Sequence, residues 1–271
     1  MSRAPATAKL NLALVVGPRA GDRHELTTVL QRLDLADRVA VAPAARLRVT
    51  GFPADTIVTR ALRLLAEAAG TQPCWAVRLT KRVPVASGLG GGSSDAATAL
   101  RLANESLDRP LPQARLHELA AAVGADVPFF LARGPQLGTG DGSALSPLDI
   151  PQDFWVVLVL PHGARKDSTA AVYAEFDRRR GEEGYDERRA ALLDALGLVR
   201  RPRDLAQLPS NDLVSSPVAQ ELRGAGAFRA DVSGAGPVVY GLFQHRRQAE
   251  AALPALAPLG RTWMTVPAWY G

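Results

Sequence analysis

A glycine-rich loop at residues 88–92 limits the folds open to this chain. It holds four glycines in five positions and lies between an apolar strand pattern and a helical pattern. Glycine adopts backbone angles and allows close approaches that other residues do not. At a helix start, such a loop can turn its N–H groups onto an anion, and the helix dipole adds roughly half a positive charge there. Ser93 and Ser94 are predicted to cap that helix and to offer hydroxyls to phosphate or magnesium. The loop therefore predicts a phosphate-binding strand–loop–helix unit.

This loop matches neither of two common nucleotide-binding motifs. No Gly-Lys-Ser/Thr follows it at the spacing of a Walker A loop. No acidic residue ends a second strand at the distance that a dinucleotide-binding Gly-x-Gly-x-x-Gly requires. The alternative is a flexible loop with a serine cap. Such loops rarely combine a preceding strand, a triple glycine and two serines, so a phosphate cradle of another type is favoured.

The hydrophobic pattern around the loop predicts strands and helices in an order that does not alternate strictly. Strand patterns lie at 9–16, 27–33, 38–41, 47–50, 75–83, 154–160, 228–233, 238–243 and 262–266, and helical patterns at 55–69, 94–107, 112–123, 168–179, 187–196, 216–223 and 244–257. This order favours an α+β fold over a doubly wound parallel sheet. The turn-rich stretch 134–150 predicts a boundary between two domains, 1–150 and 151–271.

The composition is that of a globular protein without disulfides. The chain has 271 residues, of which 47% are hydrophobic and 22% charged. Cys74 is the only cysteine, so no internal disulfide can form and a cytoplasmic location is expected. No apolar run approaches the roughly 18 residues that cross a bilayer, and the first 16 residues do not resemble a secretory signal.

The charge of the chain argues against nucleic acid as a partner. The formal net charge is +5, but 27 acidic residues are interspersed among 32 basic ones. A mildly basic surface would instead attract polyanionic metabolites. Only Lys9, Lys81 and Lys166 are lysines. In so arginine-rich a chain, a lysine can persist where a compact ammonium cannot be replaced by a planar guanidinium.

Segment 84–97 resembles the second signature motif of the kinases of galactose, homoserine, mevalonate and phosphomevalonate, the GHMP kinases. Further segments resemble, in order, the branch of this family that phosphorylates 4-diphosphocytidyl-2-C-methyl-D-erythritol in the non-mevalonate isoprenoid pathway. They lie at 8–12, 24–26, 33–37, 124–130, 168–169, 172–173, 211–213 and 233–237. The resemblance spans residues 8 to 243. It implies a two-domain GHMP-kinase-like fold with the active site in the cleft between the domains.

The resemblance implies that Asp126 is the catalytic base and that Lys9 holds its carboxylate ionised. Without the family, Asp126 could be a helix cap and Lys9 a solvated edge lysine. ATP would be the phosphoryl donor, and its predicted binding residues are Pro84, Val85, Ala86, Ser87, Gly88, Leu89, Gly90, Gly91, Gly92, Ser93 and Ser94. No His/Cys/Asp cluster has the spacing of a fixed metal site, so Mg²⁺ is expected to arrive with ATP.

The predicted substrate-binding residues are Asn11, Arg23, His24 and Thr169. Asn11 could instead bond backbone, His24 could be a surface histidine and Thr169 a helix cap. Arg23 stands where the family usually has an aromatic residue, which bears on cytosine stacking. It could stack on the base, grip the diphosphate or be a solvated loop arginine.

Three further positions carry open alternatives. Thr56-Ile57 replaces the family's usual Asn-Leu, which bears on an adenine contact. Lys81 could contact the nucleotide or be solvated. Gly234 and Gly236 resemble the third signature motif, which packs beside the phosphate loop, but they could also form a plain hairpin turn.

Two other functions stay open at this point. The chain could be another GHMP kinase, of the homoserine or mevalonate type, although the His24 segment and the motif at 124–128 argue against it. It could also be a catalytically silent relative that binds nucleotide. Intact Lys9 and Asp126 weigh against that reading. In either case a monomer or homodimer without nucleic-acid or membrane partners is expected.

Overall fold

Two β-sheets form the framework of the chain, whose computed structural model describes residues 1–53, 55–164 and 168–268. The first sheet contains β1 (Ser2–Ala20), β2 (Arg23–Pro43), β3 (Arg48–Thr50), β4 (Trp75–Thr80), β5 (Gln136–Thr139) and β6 (Ala144–Pro147). Its order is β3-β4-β2-β5-β6, with β1 paired to β2. The second sheet contains β7 (Trp155–Pro161), β8 (Arg229–Val232), β9 (Val239–Phe243) and β10 (Gly260–Thr265), in the order β10-β7-β9-β8.

Helices pack on both sheets. They are α1 (Ile57–Ala68), α2 (Gly91–Glu105), α3 (Gln113–Val123), α4 (Thr169–Arg178), α5 (Tyr185–Leu198), α6 (Val218–Gly224) and α7 (Arg246–Leu256), with 3₁₀ helices at Pro128–Leu131, Pro202–Gln207 and Ala257–Leu259. Helix α2 packs against α1, β1 and β2, while α6 and α7 pack against the second sheet. All sheet neighbours are antiparallel except β3 and β4. The predicted α+β class is confirmed.

Strand β2 is a single long strand, and the prediction of two strands at 27–33 and 38–41 was wrong. The residues between them, which carry two aspartates, stay in the sheet because β1 continues beside them. Thr7 pairs with Ala36, and Ala6 with Asp37. Tertiary pairing therefore overrides the weak strand propensity of the segment.

Helix α2 begins at Gly91, three residues before the predicted start. Gly90 precedes it in the left-handed conformation, with φ of 68°. A glycine in this conformation leads the chain from the loop directly into the first turn, so Ser93 and Ser94 lie inside the helix. Within the described residues no side chain caps α2, and the prediction of a serine cap was wrong.

One buried cluster joins the two sheets. Side chains of β1, such as Leu10 and Leu12, pack in the same buried cluster as Val156, Leu158 and Tyr240 of the second sheet. The division into domains at residue 150 stays a prediction. In the described part of the chain, none of the helices has the length and apolarity needed to cross a bilayer.

Candidate active site

A cavity of about 780 Å³ brings most of the predicted site residues together. Its walls are the glycine-rich loop, the middle and end of β1, the start of β2, helix α4 and the turn between β8 and β9. The predicted residues that line it are Lys9, Asn11, Arg23, His24, Pro84, Val85, Ala86, Ser87, Gly88, Gly90, Gly91, Gly92, Ser93, Asp126 and Thr169. Leu89 and Ser94 do not line it and are buried instead.

The first turn of α2 opens onto this cavity. The amide of Ser94 donates to the carbonyl of Gly90, 2.9 Å away, and so makes the first helical hydrogen bond. The amides of Gly91, Gly92 and Ser93 precede it and have no acceptor within the helix. Together with the helix dipole, they can hold a phosphate group. The absence of a serine cap therefore favours anion binding, because it leaves these donors to a ligand.

Packing against neighbouring loops explains two of the glycines. Gly88 has φ of 83°, and a Cβ there would lie 2.2 Å from the carbonyl oxygen of Ser233. The hydroxyl of Ser233 donates to the carbonyl of Gly88 at 3.1 Å. A Cβ at Gly91 would lie 3.1 Å from Cγ1 of Val83. Protein backbone therefore excludes a side chain at Gly88, and the side chain of Val83 leaves little room for one at Gly91. Neither constraint depends on a bound phosphate.

The turn between β8 and β9 is therefore more than a plain hairpin turn. It contacts the glycine-rich loop through the hydrogen bond from Ser233 to Gly88. The amide of Val238 also donates to the carbonyl of Ser87 at 3.1 Å. Asn211 fixes the turn from outside, because its Nδ2 donates to the carbonyl of Gly234 at 2.7 Å. Gly234 and Ala235 line the cavity.

Lys9 is buried and faces Asp126. Its side chain is 4% exposed, and its Nζ lies 3.6 Å from Oδ2 of Asp126. Nζ also donates to Oδ1 of Asn11 at 2.6 Å, and Nδ2 of Asn11 donates to Oγ1 of Thr28 at 2.8 Å. This chain of hydrogen bonds fixes the ammonium. Lys9 is not a solvated edge lysine, and Asn11 uses both ends of its amide inside the protein.

Asp126 remains accessible from the cavity. Its side chain is 46% exposed, and the 3₁₀ helix that follows begins after Val127. Asp126 therefore does not cap that helix. A partly exposed carboxylate next to a buried ammonium is placed to accept a proton from a bound hydroxyl.

Lys81 is held by two carboxylates. Its Nζ contacts Asp37 and lies 2.6 Å from Oδ2 of Asp95. Asp37 is fully buried and also accepts hydrogen bonds from the amides of Arg82 and Val83. Burial would lower the pKa of Lys81, but the hydrogen bonds to Asp37 and Asp95 raise it overall. Lys81 is thus an anchored residue at the cavity wall and is not plainly solvated.

Burial raises the pKa of Asp95 to about 7, although Lys81 opposes this rise and the charges of Asp37 and Asp55 add to it. Oδ1 of Asp95 has no hydrogen-bond partner among the described residues. Asp37 accepts three hydrogen bonds, so we assign it as the counter-ion of Lys81. We assign the proton that is bound near neutral pH to Asp95.

The raised pKa of Asp95 predicts a pH-dependent stability. Between pH of about 4, the usual aspartate pKa, and pH of about 7, the folded protein binds more protons at Asp95 than the unfolded chain. Its free energy of unfolding therefore falls as pH rises through that window. Asp95→Asn should keep the shape of the neutral acid and remove this slope. The variant should be more stable than wild type at pH 8 by up to about 4 kcal/mol, because the pKa of Asp95 is raised from its usual value of about 4 to about 7. Urea unfolding at pH 5, 6.5 and 8 measures it, and an unchanged slope would contradict the assignment.

Helix α4 supplies a second group of side chains. His24 lies 2.6 Å from Oδ1 of Asp177, which accepts a hydrogen bond from Nε2, and it stacks on Tyr173 at 4.8 Å between ring centroids. Burial, with a smaller effect of Asp126, raises the pKa of Tyr173 to about 12. Ser168 caps α4, so Thr169 is not the cap. Asp177 was missed from the sequence, and Tyr173 was placed in a segment that resembles the family without being given a role. Both residues follow Thr169 at intervals of four on one helix face.

Arg23 is paired and is not a free loop arginine. Its guanidinium contacts Oδ2 of Asp141, and its side chain is half exposed at the cavity wall. Asp141 accepts two further hydrogen bonds from Ser143, at 3.1 Å and 2.6 Å. Burial would raise the pKa of Asp141, but the bonds from Ser143 and Arg23 lower it overall. Sequence reasoning missed Asp141 because no local signal links it to Arg23.

A third group of cavity residues surrounds Lys81. Thr56 and Ile57 line this wall together with Phe52, whose ring centroid lies 5.9 Å from Nζ of Lys81. Lys166 lies outside the described residues. Within the described ranges, no cluster of three or more His, Cys, Asp or Glu side chains could hold a metal ion.

Comparison with known proteins gives concordant matches. Two family models match, "GHMP kinases N terminal domain" at residues 56–134 and "GHMP kinases C terminal" at 210–259. A 4-diphosphocytidyl-2-C-methyl-D-erythritol kinase of Gloeobacter violaceus is 37% identical over 94% of this chain and 90% of its own length.

Solved structures agree with these matches. A crystal structure of 4-(cytidine 5'-diphospho)-2C-methyl-D-erythritol kinase superposes with a TM-score of 0.79 at 32% identity, covering 98% of this chain and 99% of that one. The mevalonate kinase of Methanococcus jannaschii superposes with a TM-score of 0.77 at 13% identity, covering 98% of each chain. At that identity the second likeness concerns the fold alone.

Proposed function

Since the chain belongs to the 4-diphosphocytidyl-2-C-methyl-D-erythritol kinases, a branch of the GHMP kinases, we propose that it transfers the γ-phosphoryl group of ATP to a hydroxyl of 4-diphosphocytidyl-2-C-methyl-D-erythritol. The chain is an ATP-dependent small-molecule kinase of the non-mevalonate isoprenoid pathway. The observation that carries the proposal is the Lys9–Asp126 pair, 3.6 Å apart, in the cavity onto which the glycine-rich loop opens.

Phosphoryl transfer requires positioning and charge stabilisation more than covalent help from the protein. In the proposed mechanism the amides of Gly91, Gly92 and Ser93 hold the phosphates of ATP. The acceptor hydroxyl lies against Asp126, which accepts its proton as the bond to the γ-phosphorus forms. The bond between the γ-phosphorus and the β–γ bridging oxygen breaks, and ADP leaves with the electron pair of that bond. Lys9 keeps that carboxylate ionised and stabilises the negative charge that develops on the transferred group.

Magnesium is proposed to arrive with ATP. It would be held mainly by phosphate oxygens and water, and would neutralise charge on the transferred group. Ser93 is half-buried at the cavity and could offer its hydroxyl to the ion, whereas Ser94 is buried away from the cavity. A cytoplasmic location and a monomeric or homodimeric state stay predictions.

We propose that the cytidine moiety binds beside His24, Tyr173 and Arg23. The histidine and tyrosine rings offer a flat surface and a polar edge for a base. Asp141 already pairs with the guanidinium of Arg23, and its negative charge would repel a diphosphate at the same place. Arg23 therefore suits a stacking contact with the base through its planar face better than a grip on the diphosphate.

Substitutions at Arg23 and Asp141 should separate these roles. If the guanidinium stacks, Arg23→Tyr keeps the acceptor KM within about threefold, and Arg23→Lys weakens acceptor binding by on the order of 1 kcal/mol. Asp141→Asn should raise the acceptor KM by about threefold, because it releases the guanidinium. Steady-state kinetics measures both, and the KM for ATP should not change.

The surface pair Arg246–Glu250 provides a matched control, since it is exposed and lies on α7. Glu250→Gln should leave both KM values unchanged. If Arg23→Tyr were the damaging change and Arg23→Lys the mild one, the guanidinium would grip the diphosphate instead. An unchanged acceptor KM in Arg23→Ala would contradict any contact with the substrate.

A panel of acceptors tests the proposed function. ATP consumption is measured with the cytidine diphosphate compound, homoserine and mevalonate under the same conditions. We expect kcat/KM for the cytidine compound to exceed the other values by at least a hundredfold. Preference for homoserine or mevalonate would assign the chain to another type of GHMP kinase. ATP binding without consumption on any acceptor would indicate a silent relative.

A further inference from the structure

Arg32 is a buried arginine that the proposed reaction does not use. It lies on β2 and is 6% exposed. It forms none of the ion pairs found among the described residues, and its Nε has no hydrogen-bond partner there. Burial, with a smaller contribution from Arg101, lowers its pKa to about 10. Burying a cation without a carboxylate partner lowers the stability of the fold, so other contacts of the guanidinium must offset that cost.

The guanidinium of Arg32 holds the segment that follows Asp126. Its Nη2 donates to the carbonyl of Phe129 at 3.0 Å and to the carbonyl of Ala132 at 2.6 Å. It also lies 5.4 Å from the ring centroid of Phe129 and 5.8 Å from that of Phe130. These groups belong to the 3₁₀ helix Pro128–Leu131 or follow it directly. Carbonyls at the end of a helix carry partial negative charge, which a cation stabilises.

The same arginine is the cross-strand partner of Lys9. The two residues face each other in the β1–β2 register, so their side chains leave the same face of the sheet. One residue pair of these two strands therefore carries the ammonium that faces Asp126 and the guanidinium that anchors the chain three and six residues after Asp126. Both members of the Lys9–Asp126 pair are therefore held by the β1–β2 strand pair, Lys9 directly and Asp126 through Arg32.

From this arrangement we infer that Arg32 is a positioning residue, which sets the place of Asp126 relative to Lys9 by clamping the 3₁₀ helix that follows it. The inference rests on the proposed function for its kinetic part. Its structural part, the ordering of residues 126–132 by Arg32, does not depend on which acceptor is used. Proton acceptance needs heavy-atom distances of about 3 Å, so a displacement of 1 Å at Asp126 is enough to slow the transfer.

The test compares two buried arginines. Arg32→Met removes the clamp and keeps an apolar side chain of similar length, and Arg32→Lys keeps a cation with a single donor head. Arg229→Met is the control. Arg229 is also 6% exposed and donates to the carbonyls of Leu205 and Leu208, close to another 3₁₀ helix. Steady-state kinetics, thermal unfolding and hydrogen exchange are measured for wild type and all three variants.

Arg32→Met should lower kcat by roughly tenfold to thirtyfold with both KM values within twofold of wild type, and Arg32→Lys should recover part of the loss. Hydrogen exchange should accelerate at residues 126–132. Arg229→Met should lower the unfolding temperature without lowering kcat. In an Asp126→Asn background, Arg32→Met should have little further effect on kcat, because the base that it positions is already gone.

Two results would overturn the inference. One is a kcat for Arg32→Met within twofold of wild type, with unchanged exchange at residues 126–132. The other is a loss of the same size in the Asp126→Asn background, which would indicate a general structural role. An inactive wild type would contradict the proposed function, and the exchange measurement would then decide the positioning by itself.

Discussion

Asp126→Asn lowers kcat by roughly a hundredfold or more and leaves the KM values for ATP and acceptor nearly unchanged. Asparagine keeps the shape of the side chain but cannot accept the hydroxyl proton, and loss of a positioned base has an effect of this size. A hundredfold corresponds to about 2.7 kcal/mol of transition-state stabilisation. Steady-state kinetics with a coupled ATP assay measures it. Asp108→Asn, a change at an exposed aspartate in the turn after α2, controls for the loss of one negative charge.

The lysine that faces this base gives a second expectation from the same geometry. Lys9→Ala should also lower kcat, since Nζ of Lys9 lies 3.6 Å from Asp126. The double variant should lose less than the product of the two single effects, because the pair works as a unit. A full-rate Asp126→Asn enzyme would move the chemistry to another residue. Strictly multiplicative losses would show that the two side chains act separately.

Gly88→Ala has the second large effect, on stability and on nucleotide binding together. The new Cβ would lie 2.2 Å from the carbonyl oxygen of Ser233, at a backbone φ of 83° that alanine rarely adopts. The loop or the β8–β9 turn must move, and both line the cavity. We expect a destabilisation of about 3 kcal/mol, a fall in unfolding temperature of roughly 8 °C and at least a tenfold weaker ATP affinity.

Gly70→Ala separates the backbone cost from the clash. Gly70 has φ of 63° at the end of α1, and an added Cβ would meet nothing within 4 Å among the described residues. It should cost only about 1 kcal/mol and leave ATP binding unchanged. Calorimetric titration with ATP and thermal unfolding distinguish the two variants. Wild-type affinity in Gly88→Ala would show that the glycine-rich loop is not the phosphate cradle.

The parts of the site that the sequence predicts are those with a local signal. The glycine-rich loop can be recognised in the sequence by its composition and by its place between a strand and a helix. Lys9 is conspicuous because lysine is rare in this chain. The prediction that Asp126 is the catalytic base depends more on the family resemblance than on the neighbouring residues, since Gly124 and Pro128 alone are compatible with a simple turn. The structure brings all three features to one cavity.

Other features depend on contacts between distant parts of the chain. Asp141 meets Arg23 across 118 positions, and Asp177 meets His24 across 153. No spacing rule predicts such pairs from one sequence. The anchoring of Lys81 by Asp37 is of the same kind, with 44 positions between them. By contrast, Tyr173 was within reach of sequence reasoning, because it follows Thr169 by one helical turn.

The predicted boundaries of helices and strands were wrong where tertiary structure decides them. The serine cap of α2 was predicted from residue type alone, but Gly90 starts the helix through its left-handed conformation. This difference matters for function, since a capping serine would occupy the amides that the proposed mechanism assigns to phosphate. Strand β2 continues through Asp37 because β1 pairs with it there. The continuity places Asp37 beneath the loop, where it contacts Lys81.

The product of the reaction distinguishes transfer of the phosphoryl group to the acceptor from simple hydrolysis of ATP. Wild-type protein is incubated with ATP, Mg²⁺ and 4-diphosphocytidyl-2-C-methyl-D-erythritol, and the mixture is followed by ³¹P NMR. We expect one new phosphate monoester signal that grows with ADP in equal amount while the diphosphate signals of the acceptor persist. Release of inorganic phosphate in place of the monoester, or no ADP at all, would contradict it.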